Sequence, residues 1–274
     1  RKSAGGLISV EEVGALSDQM QLWLTAIRHD QPPDEFTAQF AATVRRFDIP
    51  LWPWERLCRA MEYDLTHDGF ASFLTFTRYA EGAAISPAAI FMHLCGVQKE
   101  SGSYRRPVYD IRWSSRPLAL FSYLVHIMRD FEIDQKAGLQ YFADSIVNSC
   151  ELDREQLKQI ALNGQATPAF RELMGGYHRI AERYQQSARE RVDLVLPYLD
   201  IRYQLSVELI YSLYSQIFER INPGSGDFTT EALNPTSDEI QARIDRTIEQ
   251  FTPVPTSPTR CSRARASRRF ASPG

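Results

Sequence analysis

Helical periodicity limits the fold of this chain more than any other feature of its sequence. Between residues 7 and 251, apolar side chains recur at the three- and four-residue intervals typical of helices. Stretches rich in glycine and proline, such as GSYRRP, NGQATP and NPGSGD, separate the periodic segments. Because no run of alternating apolar and polar residues is long enough for a sheet, the sequence predicts an all-α fold built as a packed bundle.

Several segments carry the signals at which helices begin. Ser9 and Glu12 form a capping box, and Pro117 suits the first turn of a helix. After a first helix over EEVGALSDQMQLWLTAI, the predicted helices are 36–47, one from Pro53, 116–134, 153–162, 168–186, 201–221 and 237–251. A chain of 274 residues is long enough for one well-buried domain, which we place at 1–251.

The end of the chain has a different composition. From residue 252 it contains five arginines, no acidic residue and many prolines and serines. Since these residues lack the apolar periodicity that a core needs, we predict a disordered basic tail over 252–274. The net charge of the whole chain is −3, which argues against a nucleic acid partner.

Cysteine usage and hydropathy bear on the cellular compartment. The four cysteines, at positions 58, 95, 150 and 261, form no CxxC pair. Their spacing favours buried thiols in a reducing compartment over zinc or a disulfide framework, so we expect a cytoplasmic protein. No apolar run approaches the roughly 20 residues that a membrane-spanning helix needs.

The segment from residue 116 to residue 134 is the most informative about chemistry. On a helix one stripe of it carries Arg116, Ala119, Tyr123, His126, Asp130 and Asp134. Apolar residues cover the rest, so the helix is expected to be buried. Buried carboxylates are costly unless cations or hydrogen-bond donors meet them, so the stripe predicts a lined cavity that holds a positive group.

Asp130 and Asp134 are one helical turn apart, which places their Cβ atoms about 5–6 Å from each other. Such a pair suits Mg²⁺, and bound Mg²⁺ can hold a diphosphate and neutralise it as a leaving group. Arg129 and Lys136 are nearby donors for the same diphosphate. The alternative is a solvent-exposed helix end, because the DxxxD spacing also recurs elsewhere in the chain by chance.

Two stretches of the sequence resemble the squalene/phytoene synthase family. LFSYLVHIMRDFEIDQKAGLQYF is similar to its second aspartate-rich region, roughly LxxxNILRDxxEDxxxGRxYxP, with matches at Ile127, Arg129, Asp130, Asp134, Gly138 and Tyr141. AMEYDLTHDGFASFLTFTRYAEGAA is similar to GMxMDLxxxRYxxxxELxxYCYxVAGxxG, with matches at Met61, Asp64, Leu65, Phe73, Tyr79 and Gly82. The resemblance extends over about residues 35–220.

This resemblance implies an isoprenoid synthase-type helical bundle around a central cavity. It further implies Mg²⁺-dependent, head-to-head condensation of two prenyl diphosphates, farnesyl or geranylgeranyl, with release of pyrophosphate in terpenoid or carotenoid biosynthesis. Prenyl diphosphates are thus the expected partners, with peripheral membrane contact because prenyl products are insoluble. NADPH stays open as a cofactor, since this fold needs no Gly-rich fingerprint to bind it.

The resemblance also implies roles for individual residues. Asp130 and Asp134 would hold Mg²⁺, and Tyr79 and Tyr141 would be catalytic. The residues implied to bind substrate are Arg129, His126, Tyr123 and Asp64. Small residues would leave room for prenyl tails, or would serve close helix packing; they are Gly82, Ala83, Ala84, Ala88 and Ala89.

The chain departs from the family pattern in several places. The first aspartate-rich motif is not found, since prolines at 32 and 33 prevent a helix across Asp30 to Asp34. Either the motif lies upstream of Arg1, which we expect because the chain does not begin with Met and its first helices resemble the family's interior, or the chain is a degenerate homologue. His126 replaces the Asn of the second motif, as a metal ligand, proton carrier, diphosphate donor or structural residue.

Further replacements affect the residues that surround the two motifs. Tyr123 replaces the upstream Gln, and Phe76 stands where a Tyr is usual, with Tyr79 one turn on as a substitute. The rival hypothesis is a catalytically inactive homologue that acts as a binding protein or a respiratory-complex assembly factor.

Overall fold

Helices follow one another through the described part of the chain, which comprises residues 9–29, 32, 34–100 and 102–256 of the computed structural model. They are α1 (Val10–His29), α2 (Glu35–Arg46), α3 (Trp52–Thr66), α4 (Phe73–Ala80), α5 (Ser86–Gly96), α6 (Ile111–Arg129), α7 (Phe131–Lys136), α8 (Asp144–Ser149), α9 (Arg154–Asn163), α10 (Pro168–Val195), α11 (Ile201–Arg220), α12 (Thr230–Leu233) and α13 (Ser237–Gln250). A π-helical turn, Glu81–Ile85, joins α4 to α5, and a 3₁₀ turn, Leu196–Tyr198, follows α10. The predicted all-α class is confirmed.

Capping residues set where several helices begin. The predicted capping box exists: Glu12 N donates to Ser9 Oγ at 3.1 Å, and Ser9 N donates to the Glu12 carboxylate at 2.8 Å. The Thr167 side chain caps α10 by accepting from Phe170 N. The helix begins with Pro168, which suits this position because a backbone N–H there would have no partner within the helix. This helix continues to Val195, nine residues beyond the predicted end, because buried Ala188, Val192 and Val195 extend its apolar face.

One short hairpin occurs beside the helices. Gln98–Glu100 (β1) pairs antiparallel with Ser103–Arg105 (β2), with Lys99 opposite Tyr104. Three-residue strands are too short to produce an alternating pattern, so the sequence carries no signal for them. The hairpin packs on the end of α2 through Tyr104 and Phe47, whose ring centroids are 4.5 Å apart.

The prediction of a single helix over 116–134 is wrong, because two helices, α6 and α7, cover this segment. Helix α6 begins earlier, at Ile111, because the Asp110 carboxylate caps it by accepting from Arg112 N and Trp113 N. Pro117 therefore lies inside α6 and not in its first turn. The helix is interrupted at Asp130, whose φ of −90° and ψ of 9° separate α6 from α7.

The main core forms where α6 packs along α10. The α6 side chains of Phe121, Leu124, Val125 and Met128 are completely buried. The two helices run antiparallel, since Trp113 near the start of α6 meets Arg191 near the end of α10. A separate core joins α1, α2 and α3, in which Trp23, Phe40 and Trp54 have centroids 4.9 to 5.5 Å apart.

The ordered chain extends past the predicted boundary at residue 251. Residues 252–256 are extended, and Val254 N donates to Gln204 Oε1 while Gln204 Nε2 donates to Val254 O, both at 2.9 Å. Gln204 is completely buried, so this contact belongs to the core. The remainder of the predicted tail, 257–274, lies outside the described residues. Within the described part, no helix combines the length and apolarity needed to cross a bilayer.

Candidate functional site

A cavity of about 530 Å³ lies between the π turn and α5 on one side and α6, α10 and α11 on the other. Its wall is mostly apolar: Ala83, Ala84, Pro87, Ala88, Phe91, Met92, Ser114, Ser115, Leu118, Ala119, Ser122, Tyr123, His126, Arg191, Val192, Val207, Ile210 and Tyr214. Three of the small residues expected beside a prenyl chain, at 83, 84 and 88, are among them. A pocket of this size and polarity suits one elongated apolar ligand.

Gly82 and Ala89 do not line this cavity. A Cβ atom on Gly82 would lie 2.1 Å from the carbonyl oxygen of Arg56, so this glycine allows α3 to approach the π turn closely. Ala89 is completely buried and packs in the core formed with α10 and α11. The packing interpretation therefore holds for these two residues.

The middle of the stripe predicted on α6 lines the cavity, but the first residue of the stripe does not. Ala119, Tyr123 and His126 contribute to the cavity wall. Arg116 instead binds the Glu81 carboxylate, with its Nε 3.1 Å from Oε1. Tyr214 of α11 completes the polar end of the cavity beside His126.

A chain of hydroxyl groups links Tyr123 to a carboxylate on α3. Tyr79 Oη donates to Asp64 Oδ2 at 2.9 Å, and the Tyr123 hydroxyl is hydrogen-bonded to that of Tyr79. Burial, followed by the nearby Asp64 charge, raises the pKa of Tyr79, and burial raises the pKa of Tyr123 as well. Both phenols therefore stay protonated at neutral pH.

Tyr141 joins the same aromatic group from the loop after α7. Its ring centroid is 6.4 Å from that of Tyr123, in an edge-on arrangement. Phe76, which replaces the family's tyrosine, is completely buried and stacks on the Tyr123 ring at 5.5 Å. Phe76 therefore packs behind the Tyr123 ring, which lines the cavity. The hydroxyl group that bonds to Asp64 belongs to Tyr79.

At the polar end of the cavity, His126, Arg129 and Asp130 form a second cluster. Arg129 holds the Asp130 carboxylate with both Nε and Nη2, at 2.6 and 2.9 Å. Arg129 Nη2 also lies 2.7 Å from His126 Nδ1, which is itself 3.2 Å from Asp130 Oδ2. The hydrogen bond to Asp130 raises the pKa of Arg129, so the guanidinium is firmly charged.

Asp134 lies one turn beyond Asp130 despite the helix break. Its backbone N donates to the Asp130 carbonyl at 2.8 Å, and its charge contributes to raising the pKa of Arg129. Lys136 faces elsewhere, because its ammonium group binds Glu132. Of the two cationic donors expected beside the aspartates, only Arg129 is placed there.

The donor set for a divalent cation consists of these two carboxylates. In the described part of the chain, no three His, Cys, Asp or Glu side chains are grouped as a metal site. Mg²⁺ is commonly held by one or two carboxylates together with substrate phosphates, so the pair fits a metal that arrives with a diphosphate. It does not form a cage that would bind the ion alone.

The other DxxxD spacings do not supply a second acidic pair at the cavity. Asp68 pairs with Arg154 at 3.4 Å on the surface, and Asp34 caps α2 by accepting from Thr37 N at 2.7 Å. Asp30 lies outside the described residues. Among the described aspartates of these spacings, Asp64 alone is connected to the site, through Tyr79.

Sequence reasoning missed a mostly buried carboxylate in the π turn, one wall of the cavity. Glu81, in the π turn, binds Arg56, Arg112 and Arg116, and its side chain is 13% exposed. Burial alone would raise the pKa of Glu81, but hydrogen bonds from Arg112 and Arg116 lower it. The sequence does carry a signal for this carboxylate, because Glu81 is the one acidic residue in the segment RYAEGAA and the residues after it are small and apolar.

Sequence reasoning also missed the end of the cavity that lies opposite His126. Arg191, Ser114 and Ser115 line that end. The predicted helix stopped at residue 186, so Arg191 was not assigned to any buried face. Tyr214 of α11 also lines the cavity, whereas Tyr211 of the same helix lies against the guanidinium of Arg189 outside it.

Comparison with known proteins matches both sequence and fold. The sequence model of the family described as "Squalene/phytoene synthase" matches residues 9–245. Phytoene synthase 3 of Zea mays, a chloroplastic protein, is 24% identical over 265 residues, which cover 96% of this chain and 59% of the relative. Phytoene synthase 2 of Oryza sativa subsp. japonica is 23% identical over 78% of the chain and 52% of its own length. The chain thus spans a little over half the length of these relatives.

Two solved structures share the helical fold. The squalene synthase HpnC from Alicyclobacillus acidocaldarius superposes with a TM-score of 0.65 over 85% of this chain and 79% of its own, at 14% identity. A dehydrosqualene synthase in complex with ligand gives a TM-score of 0.67 over 86% and 77%, at 13% identity. With a helical bundle around an apolar cavity and a family match over nearly its whole length, this chain belongs to the squalene/phytoene synthase family.

Proposed function

We propose that this chain is a prenyltransferase that condenses two prenyl diphosphates, farnesyl or geranylgeranyl, head to head with release of pyrophosphate. The observation that carries the proposal is the 530 Å³ apolar cavity that ends at Tyr123 and His126, beside Arg129 and Asp130. A prenyl chain matches the apolar wall, and a diphosphate matches the charged end. The relatives named phytoene synthase support the same reaction class.

The charged cluster binds and orients the diphosphate in this proposal. Arg129 offers a planar, fully charged guanidinium, which suits bidentate contact with phosphate oxygens. It must release Asp130 to do so, and the freed carboxylate then turns toward a cation. Asp130 and Asp134 would hold Mg²⁺, which when bound neutralises charge that develops on the leaving pyrophosphate.

The cavity wall protects the reacting chain. Alanines along α5 and α6 exclude water from the prenyl tail, which keeps an allylic cation from being quenched. Aromatic rings of Tyr123 and Tyr79 lie at the charged end, where their π-systems stabilise positive charge. The Tyr79 hydroxyl, fixed by Asp64, holds its ring in place.

A radiolabel assay tests the proposal. The chain is incubated with farnesyl or geranylgeranyl diphosphate, with Mg²⁺ and with EDTA, and products are separated by chain length. We expect a C30 or C40 product with Mg²⁺ only, and a loss of at least about 100-fold in Asp130→Asn or Asp134→Asn. Asp18→Asn, on the exposed face of α1, is the matched control. Full turnover in EDTA would contradict the role of the metal.

A second candidate function has one observation in its favour. Asp130 is already neutralised by Arg129 and is close to His126, so the cluster is complete without a ligand. A binding or assembly protein on the same fold needs no more than that. This alternative predicts that the chain binds a prenyl diphosphate weakly, forms no product, and keeps its partner interactions in Asp130→Asn.

A further inference from the structure

The end of the cavity that lies away from the proposed diphosphate site is lined by larger side chains than the rest. Beside Tyr123 and along the middle, the wall formed by the π turn and α5 consists of small residues, Ala83, Ala84 and Ala88. The far end is lined from three helices, by Phe91 and Met92 of α5, Arg191 and Val192 of α10, and Val207 of α11. Bulky side chains at one end limit how far a ligand chain can extend along the cavity.

Contacts between the helices place this far end at the start of α6. Tyr109, just before α6, donates through its hydroxyl to the Met92 carbonyl at 2.7 Å, so the end of α5 lies there. The guanidinium carbon of Arg191 lies 3.9 Å from the centroid of the Trp113 ring, so the end of α10 lies there too. The three helix ends therefore meet about the first turn of α6.

Arg191 and Trp113 form a wall between this end of the cavity and the outside. Arg191 lines the cavity, whereas Trp113 does not, yet Trp113 is partly exposed, so its exposed part faces away from the cavity. A cation–π contact holds the guanidinium on the Trp113 ring. The Nε atom of Arg191 is buried, which shows that the side chain is packed closely there.

The distance between the two ends of the cavity limits the prenyl chain that fits. His126 and Ser114 both line the cavity, and α6 rises about 18 Å between them. An extended carbon chain advances about 1.2 Å per bond, so a farnesyl chain reaches about 14 Å and a geranylgeranyl chain about 19 Å. Because Met92 and Arg191 occupy part of this length, the cavity accommodates the farnesyl chain and is too short for the geranylgeranyl chain.

We propose that Arg191, stacked on Trp113, sets the maximum length of the prenyl chain, and that the substrate is consequently farnesyl diphosphate and not geranylgeranyl diphosphate. Arg191 determines specificity by its bulk, since it lies at the hydrocarbon end and far from the bond that breaks. Without its side chain, the far end opens toward the Trp113 ring and a fourth isoprene unit gains room. This inference rests on the proposed function, which places the diphosphate at the opposite end.

Binding of two prenyl chain lengths tests the inference. Dissociation constants are measured by calorimetry, with Mg²⁺, for the thiodiphosphate analogues of farnesyl and geranylgeranyl diphosphate, which ionise slowly. We expect the wild type to bind the farnesyl analogue at least about tenfold more tightly, because a fourth isoprene unit overpacks the closed end. In Arg191→Ala the ratio of the two dissociation constants should fall to about one. Met92→Ala, which widens the same end from α5, should lower the ratio in the same direction.

The controls separate failure of this inference from failure of the proposed function. Arg183→Ala removes an exposed arginine from the same helix and should leave the ratio unchanged, which a general loss of stability would not explain. Equal or tighter binding of the geranylgeranyl analogue by the wild type would overturn the inference while leaving a prenyl diphosphate site intact. A farnesyl preference that survives both Arg191→Ala and Met92→Ala would overturn it as well. If neither analogue binds to the folded wild-type chain, the proposed function fails and the inference fails with it.

Discussion

Tyr79 couples the aromatic wall of the cavity to a carboxylate on a different helix. The residue is 8% exposed, and its hydroxyl donates to the Asp64 carboxylate of α3 at 2.9 Å. Tyr123 bonds to the same hydroxyl, so one phenol fixes two partners. At the scale of single residues, the hydroxyl of Tyr79 is therefore the atom whose removal is most informative.

In Tyr79→Phe we expect kcat/KM of the proposed condensation to fall about tenfold, because one positioned hydrogen bond is lost. The free energy of unfolding should fall by about 1–3 kcal/mol, because the exposed Asp64 regains water whereas the Tyr123 hydroxyl loses its partner inside the protein. Steady-state kinetics and urea unfolding measure the two effects. Tyr104→Phe in the β-hairpin is the control, and unchanged kinetics in Tyr79→Phe would remove its hydroxyl from the mechanism.

Gly82 is the second residue where a single atom matters. Because an added Cβ would lie 2.1 Å from the Arg56 carbonyl oxygen, α3 or the π turn must move in Gly82→Ala. We expect a loss of about 1–3 kcal/mol in the free energy of unfolding, as in other overpacked cores. Gly176→Ala in α10 meets nothing within 4 Å and should be neutral or stabilising by up to about 1 kcal/mol. Equal unfolding midpoints for the two variants would show that the turn is not tightly packed.

At the scale of elements, Glu132 joins two short helices that could not hold their positions alone. Its carboxylate accepts from Thr230 N at the start of α12 and from Lys136 one turn further along α7. These hydrogen bonds lower the pKa of Glu132 to about 2, the one with Lys136 contributing most. Since α7 also carries Asp134, this contact fixes the second carboxylate of the proposed metal site.

Glu132→Gln should lower the free energy of unfolding by about 1–2 kcal/mol near pH 7. A carboxylate whose folded pKa lies below its usual 4.5 contributes stability above that pH, and loses it as the pH falls toward 2. The difference between wild type and Glu132→Gln should therefore shrink below about pH 4. Urea unfolding between pH 3 and 7 checks this, with the exposed Glu249→Gln as control; a difference that stays constant with pH would contradict it.

At the scale of the whole molecule, the segment after α13 returns to the start of α11 and closes one end of the core. Gln204 is completely buried, and both atoms of its amide bond to Val254. The contact joins residues 50 positions apart in the chain. We infer that residues 252–256 are part of the folded unit.

A chain ending at residue 251 should consequently be less stable than one ending at residue 256. Removal of Val254 leaves the Gln204 amide buried without two of its partners, at a cost of about 1–3 kcal/mol. For a domain of this size, the midpoint of thermal unfolding should drop by several degrees, about 2–4 °C for each kcal/mol. Calorimetry on the two truncated chains measures this difference. Equal midpoints of thermal unfolding would mean that the contact between Gln204 and Val254 adds no stability.

The sequence by itself determined the fold class, most helix positions and the aspartate-bearing segment. Helical periodicity and capping are local, so residues such as Ser9 and Asp153 carry their signals within one turn. The same locality explains why the predicted helix stops at residue 186 while α10 continues to Val195. The run after residue 186 is mostly polar, and the burial of Val192 and Val195 within it depends on distant helices. The break at Asp130 likewise has no distinctive residue pattern.

Only the tertiary structure decided which of the candidate side chains meet. Asp64 lies in the last turn of α3 and Asp68 lies two residues beyond its end, yet the first meets Tyr79 and the second meets Arg154. Arg191 lies 78 residues from Trp113 in the chain and 3.9 Å from its ring. Periodicity predicts which face of a helix is buried, but the contacts of that face depend on how the helices pack, and packing is a property of the whole core.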